Sequence, residues 1–105
     1  MKIDIRSRSL KLTEALSDYI HRRVIFALGR FTRRLQSVRV MLKDLNGPKG
    51  GVDKHCKVMV SIVPSFSVII EESDADLQTA INRALERAGH TVARRIDQMT
   101  DPRRS

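Results

Sequence analysis

Three stretches of this chain alternate apolar and polar residues with a period of two, and short connections separate them. Val38, Val40 and Leu42 alternate with Arg39, Met41 and Lys43. Cys56, Val58, Val60 and Ile62 alternate with His55, Lys57, Met59 and Ser61. Phe66, Val68 and Ile70 alternate with Ser67, Ile69 and Glu71. Successive side chains of a strand point to opposite faces, so each stretch predicts a strand with one buried face. Asn46-Gly47-Pro48-Lys49-Gly50-Gly51 is the strongest turn signal and predicts an exposed loop, while Pro64-Ser65 predicts a tight turn. Strands joined this closely form an antiparallel meander. Ile3 and Ile5 alternate with Lys2, Asp4 and Arg6, which predicts one more strand at the start.

Two other stretches follow the helical period. Thr13 is placed as an N-cap with Glu14 in the first turn, where the helix dipole favours an acid. Leu16, Ile20, Val24, Ala27 and Phe31 then make an apolar stripe, and the predicted helix runs to about Leu35. Ser73 is placed as the cap of the last helix, with Asp74 and Asp76 in its first turn. Leu77, Ile81, Ala84, Ala88, Val92 and Met99 form its apolar face, and Asp101-Pro102 ends it. The predicted order is β-α-β-β-β-α, an α+β fold. Its economical packing puts both helices side by side on one face of a four-stranded sheet. The first strand joins through a helical crossover, so it runs parallel to its neighbour. At 105 residues the chain reads as one domain over residues 1–99, with a basic tail at 100–105.

Charge then narrows the partner. Twenty Lys and Arg stand against 12 Asp and Glu, for a formal charge of +8 and a pI near 10.6. A surplus of that size points to a polyanion, nucleic acid before an anionic membrane. Arg83, Arg87, His90 and Arg94 are spaced four, three and four residues apart, one line along a helix of 3.6 residues per turn. Arg22, Arg23, Arg30 and Arg33 gather beside the apolar stripe of the first helix, with Tyr19 and Phe26 among them. Helices on the same sheet face turn their outer surfaces the same way, which brings the two rows together. Neither helix contains lysine, and guanidinium suits bidentate phosphate contact. Between Asp74 and Met99 four arginines meet four acids, so the second row depends on segregation of the acids to the helix start. Phe26 lies off the core stripe. It either rests on the sheet edge or offers a ring to a base or partner, and Tyr19 is a second such candidate.

Other chemistry finds little purchase. No apolar run approaches the ~18 residues of a membrane span, and Met-Lys-Ile-Asp-Ile lacks the apolar core of a secretory signal. A single cysteine, Cys56, makes no internal disulfide, fits a reducing cytoplasm and is placed in the core. His21, His55 and His90 fall on different elements without zinc-ligand spacing. His55 and Cys56 face opposite sides of a strand, and Glu71 and Glu72 diverge likewise. The glycine-rich loop lacks the Lys-Ser/Thr ending of a phosphate-binding loop. The expectation is a protein without cofactor, metal, small-molecule substrate or catalytic residue.

Leu12-Thr13-Glu14-Ala15-Leu16 opening one helix, Asp76-x-x-x-Ala80-Ile81-Asn82 opening the other, and basic positions at Arg87 and Arg94 carry a resemblance. Over about residues 1–98 the chain resembles the ribosome hibernation-promoting factor family, also called ribosome-associated inhibitor A or sigma-54 modulation proteins. The resemblance implies a fold similar to double-stranded RNA-binding domains. It also implies binding to the small ribosomal subunit near the decoding centre, in the channel of messenger and transfer RNA, which blocks translation. Arg23, Arg87 and Arg94 stand where the family places lysine or arginine. Gln78, Asn82 and Thr91 depart from its usual aromatic, aspartate and glutamine, and Gly89 interrupts the second helix at about 1 kcal/mol relative to alanine. The chain resembles a short form, without the C-terminal domain that pairs ribosomes, and needs no stable oligomer. The alternative reading is a general binder of double-stranded or structured RNA.

Overall fold

A computed structural model describes residues 1–45 and 53–100. Strand β1 (Lys2–Arg8) leads to helix α1 (Glu14–Leu28) and a 3-10 segment (Gly29–Arg34). Strands β2 (Leu35–Asp44), β3 (Lys54–Ile62) and β4 (Phe66–Asp74) follow, then helix α2 (Leu77–Thr100). The sheet order is β1-β2-β3-β4. β1 pairs parallel to β2, and the other two pairings are antiparallel, as the crossover and the short turns require. The glycine-rich loop and the basic tail beyond residue 100 lie outside the described residues.

One sheet face builds the core. Val38, Val40 and Leu42 of β2, Cys56, Val58 and Val60 of β3, and Val68 and Ile70 of β4 are all buried. Ile20, Val24 and Leu28 of α1 and Ile81, Leu85 and Val92 of α2 close over them. Each such side chain contributes about 1.5–3 kcal/mol on leaving water. Burial pushes the Cys56 thiol up to about 12, so it behaves as a small apolar side chain.

Two predicted element ends are corrected. α1 stops at Leu28, not near Leu35, because Gly29 is a poor helix former and the chain tightens into 3-10 turns through Arg34. Leu28 therefore joins the core, while Ala27 and Phe31 are only half-buried. Nor does Ser73 cap α2. The β3–β4 ladder runs on to the pairs His55–Ser73 and Lys54–Asp74, which holds both residues in the strand. Asp76 caps the helix instead. Its Oδ2 accepts the Thr79 backbone N–H at 3.0 Å and the Thr79 hydroxyl at 2.7 Å. The Thr79 hydroxyl, and after it the Thr79 amide, hold the Asp76 carboxyl below its ordinary range. Thr13 does cap α1, accepting the Leu16 N–H at 3.1 Å.

Candidate functional site

The two helices touch along a tight crossing. A Cβ built on Gly89 of α2 meets the Ala27 carbonyl oxygen of α1 at 2.9 Å, closer than a real side chain allows. Glycine is what lets the helix backbones approach here. The residue that looks like a flaw in α2 is thus the contact point of the helical layer. Beside it Tyr19 donates its hydroxyl hydrogen to Asn82 Oδ1 at 2.7 Å, a second tie between α1 and α2. Tyr19 is half-buried and engaged in that tie.

A groove of about 370 Å³ opens at the crossing, with Arg23, Phe26 and Arg30 on the α1 side and Glu86 and His90 on the α2 side. Phe26 is 79% exposed, so it does not rest on the sheet edge. The Arg23 guanidinium lies 5.0 Å from its ring centroid, a cation–π contact that orients both groups toward the groove. Arg23 Nε is buried and has no hydrogen-bond partner among the described residues. The Arg30 guanidinium lies 4.7 Å from the ring centroid of Phe31. Stacking fixes each guanidinium plane and leaves its edge N–H groups for an outside acceptor.

The eight predicted cations do not behave alike. Arg23, Arg30 and His90 meet in the groove. Arg22, Arg33 and Arg94 are exposed, with no ion pair among the described residues. Arg83 and Arg87 lean the other way, to β4. Arg83 Nη1 is 3.3 Å from Asp74 Oδ1. Arg87 Nη1 is 2.6 Å from Glu72 Oε2 and also donates to the Glu71 carbonyl at 3.2 Å. The α2 row therefore splits: His90 faces α1, while Arg83 and Arg87 bridge to the edge strand. Sequence reading missed the Arg83 tie because it put Asp74 in the helix, and the Arg87 tie because helical spacing does not show which strand lies beneath. Glu71 and Glu72 do diverge, Glu72 to Arg87 and Glu71 to His55 Nε2, which donates to it at 3.0 Å.

Among the described residues no three His, Cys, Asp or Glu side chains are placed to hold a metal. Among the same residues no helix is long and apolar enough to cross a membrane.

Comparison with known proteins gives a consistent picture. No curated protein sequence matches the chain. The solved structure of the Protein Y N-terminal domain from Thermus thermophilus is similar, with a TM-score of 0.70 and 32% sequence identity. The match covers 90% of this chain and 98% of that one. A ribosomal subunit interface protein from Coxiella burnetii has the same fold, with a TM-score of 0.74 at 9% identity, over 92% of this chain and 99% of that one. The profile of the family described as Sigma 54 modulation protein / S30EA ribosomal protein matches residues 3–100, so the chain belongs to that family.

Proposed function

We propose that the protein docks on the small ribosomal subunit through the outer surface of α1 and α2 and inhibits translation by occupying the channel of messenger and transfer RNA near the decoding centre. The observation that carries this reading is the groove at the helix crossing, where Arg23, Arg30 and His90 converge around an exposed aromatic ring. Membership in a family described as ribosomal protein supports the partner.

The contact is electrostatic. Arg22, Arg23, Arg30, Arg33, His90 and Arg94 approach rRNA phosphates and release the counterions held there, so affinity falls steeply with salt. Arg83 and Arg87 join once phosphate displaces Asp74 and Glu72. Exposed ion pairs of this kind are worth only about 0.2–1 kcal/mol, so the exchange is easy. Phe26 supplies a ring for an unstacked base, and its stacking is sequence-tolerant. RNA shape and backbone set the site, and no bond is made or broken.

Sedimentation through sucrose gradients with purified small subunits tests the reading. The protein comigrates with small subunits at low salt and is released as salt rises. Arg23→Glu with Arg30→Glu abolishes comigration. Absence of the protein from the small-subunit peak at low salt defeats the proposal. Equal competition by free RNA duplex favours the general RNA binder.

A further inference from the structure

The face of the sheet that the helices leave open is strongly basic. Strand alternation and register put Lys2, Arg6 and Arg8 of β1, Arg39 and Lys43 of β2, and Lys57 of β3 on that face. The carboxylates there are Asp4 and Glu71. Asp4 is shared, its Oδ2 lying 3.2 Å from Arg6 Nε and 3.1 Å from Arg39 Nε. Glu71 accepts from His55 Nε2 and lies directly across from Lys57 in the register. Lys2, Arg8, Lys43 and Lys57 have no ion pair among the described residues. Two shallow depressions of about 520 Å³ each cover the face and share Arg6.

Like charges facing each other across strands destabilise a sheet. Here Arg8 and Lys43 sit side by side across β1 and β2, while His55, next in the row, is bonded to Ser73 and Glu71. Among the described residues no carboxylate pairs with Arg8 or Lys43, and an outside anion relieves their repulsion. Nor can these charges assist the helical surface. A helix layer on a sheet is roughly 20 Å thick, and the Debye length at physiological salt is about 8 Å. The two basic faces lie on opposite sides of the domain, so one polyanion on the helices leaves the sheet face free to hold another. Cations two residues apart on a strand are roughly 6.6 Å apart, a fair match to successive phosphates of one RNA strand. The apolar groups on the face, Met41, Met59 and Ile69, are not aromatic, so the face offers phosphate contact without stacking.

We propose that the open sheet face is a second RNA-backbone-binding surface, so that the domain is held between two RNA segments, one against the helices and one against the sheet. This rests on the RNA reading of the helical surface and adds a site that reading does not use. A bilayer meets only one side of a molecule. A plate charged on both broad sides fits a cleft with two polyanionic walls.

The test mixes the full chain with two short RNA duplexes carrying different fluorophores and counts coincident particles, with sedimentation confirming that the protein is monomeric. The wild type joins both duplexes in one particle. Lys43→Gln with Lys57→Gln retains one duplex and loses the second. The log–log salt dependence of the remaining affinity then matches the helical face alone, shallower by about one per lysine removed. Arg8→Gln with Lys43→Gln is the second pair, used if the first melts below the wild type. A wild type that carries one duplex overturns the proposal, as does a well-folded Gln pair that still joins two with an unchanged salt slope. Vesicles of phosphatidylglycerol and phosphatidylcholine form a third arm. If the Gln pair loses vesicle binding and keeps both duplexes, the face is a membrane surface and the proposal is overturned. Small subunits form the fourth. Duplex joining that the Gln pair abolishes, in a wild type that ignores small subunits, sinks the ribosome reading and leaves this one standing.

Discussion

α1 and α2 both carry a line of arginines along the outside of the helical layer, yet the two lines touch different things. On α1 and the 3-10 segment after it, Arg22, Arg23, Arg30 and Arg33 form no ion pair among the described residues, and two of them lie on aromatic rings. On α2, the first two arginines are bound to Asp74 and Glu72 of the edge strand. Helical spacing alone treats the lines as equivalent. What separates them is the neighbour: α2 lies over β3 and β4, and β4 ends in a run of acids, Glu71, Glu72 and Asp74, just where α2 begins. The first half of the α2 row thus secures the helix to the sheet, while His90 joins the groove with Arg23 and Arg30 and Arg94 stays exposed. Availability of a charge is a tertiary property, even when its position is a sequence property.

The sharpest way to break this comparison is to disable each line in turn. Arg23→Glu with Arg30→Glu lowers small-subunit affinity by about one to two orders of magnitude at physiological salt, since each lost phosphate contact also loses its counterion release. Arg83→Gln with Arg87→Gln lowers it less than about fivefold, and instead lowers the melting temperature at low salt, where exposed pairs are least screened. Fluorescence anisotropy against small subunits and thermal melts at two salt concentrations separate the two outcomes. Equal losses of affinity from both pairs would show that the β4 ties do not distinguish the rows.

Gly89 tests whether the lines need to be close. Gly89→Ala gains about 1 kcal/mol in helix propensity and loses about 1–3 kcal/mol to overpacking against a backbone carbonyl that cannot rotate away. The middle of that range is a net loss of about 1 kcal/mol, which lowers the melting temperature by about 4–8 °C for a domain of this size. RNA affinity weakens as well, because the groove residues are spread. Ala27→Gly does not rescue it, since the obstructing atom is Ala27's carbonyl oxygen. A Gly89→Ala variant that melts higher than the wild type would mean that the helices are free to part.

Much of this was legible before any coordinates. Strict alternation in 38–43, 55–62 and 66–71 left no other assignment, and the crossover rule then set the β1–β2 direction. Element ends were harder. Ser73 makes as good a cap as Asp76 on local chemistry, and what decides between them is that Ser73 and Asp74 are held by pairing with His55 and Lys54, residues eighteen and twenty positions back. Phe31 fits the α1 stripe by period, but the turn at Gly29 shifts the register before it arrives. Arg23 and His90 of the groove could be named from helical period, and Arg30 reaches the same groove from the 3-10 segment past Gly29. Gly89 could be seen only as a defect, because its reason is the Ala27 carbonyl of another helix. The basic sheet face was present in the same alternation that revealed the strands. Within any one strand Arg39, Lys43 or Lys57 is an ordinary solvent-side residue, and only the pairing of the strands gathers them into one basic face.

The helix starts offer the finest comparison. α1 is capped by a neutral hydroxyl, Thr13, and α2 by a carboxylate, Asp76. Only the second cap titrates. Its hydrogen bonds from Thr79 favour the ionised form, so the folded state holds the carboxyl below its unfolded value of about 4. A group depressed in this way contributes stability that is fully present above the unfolded value. That stability is lost as pH falls through it toward the folded value. Asp76→Ala therefore lowers the melting temperature by a few degrees at neutral pH. The gap to the wild type stays flat down to about pH 5 and narrows below it. Asp76→Asn keeps an acceptor for Thr79 but carries no charge, so it retains most of the cap and none of the pH dependence. Thr13→Ala gives a gap that does not change with pH across the same range. Melts of the four proteins between neutral and acid pH decide the matter: a gap for Asp76→Ala that is as constant as that for Thr13→Ala would place the start of α2 under some group other than this carboxylate.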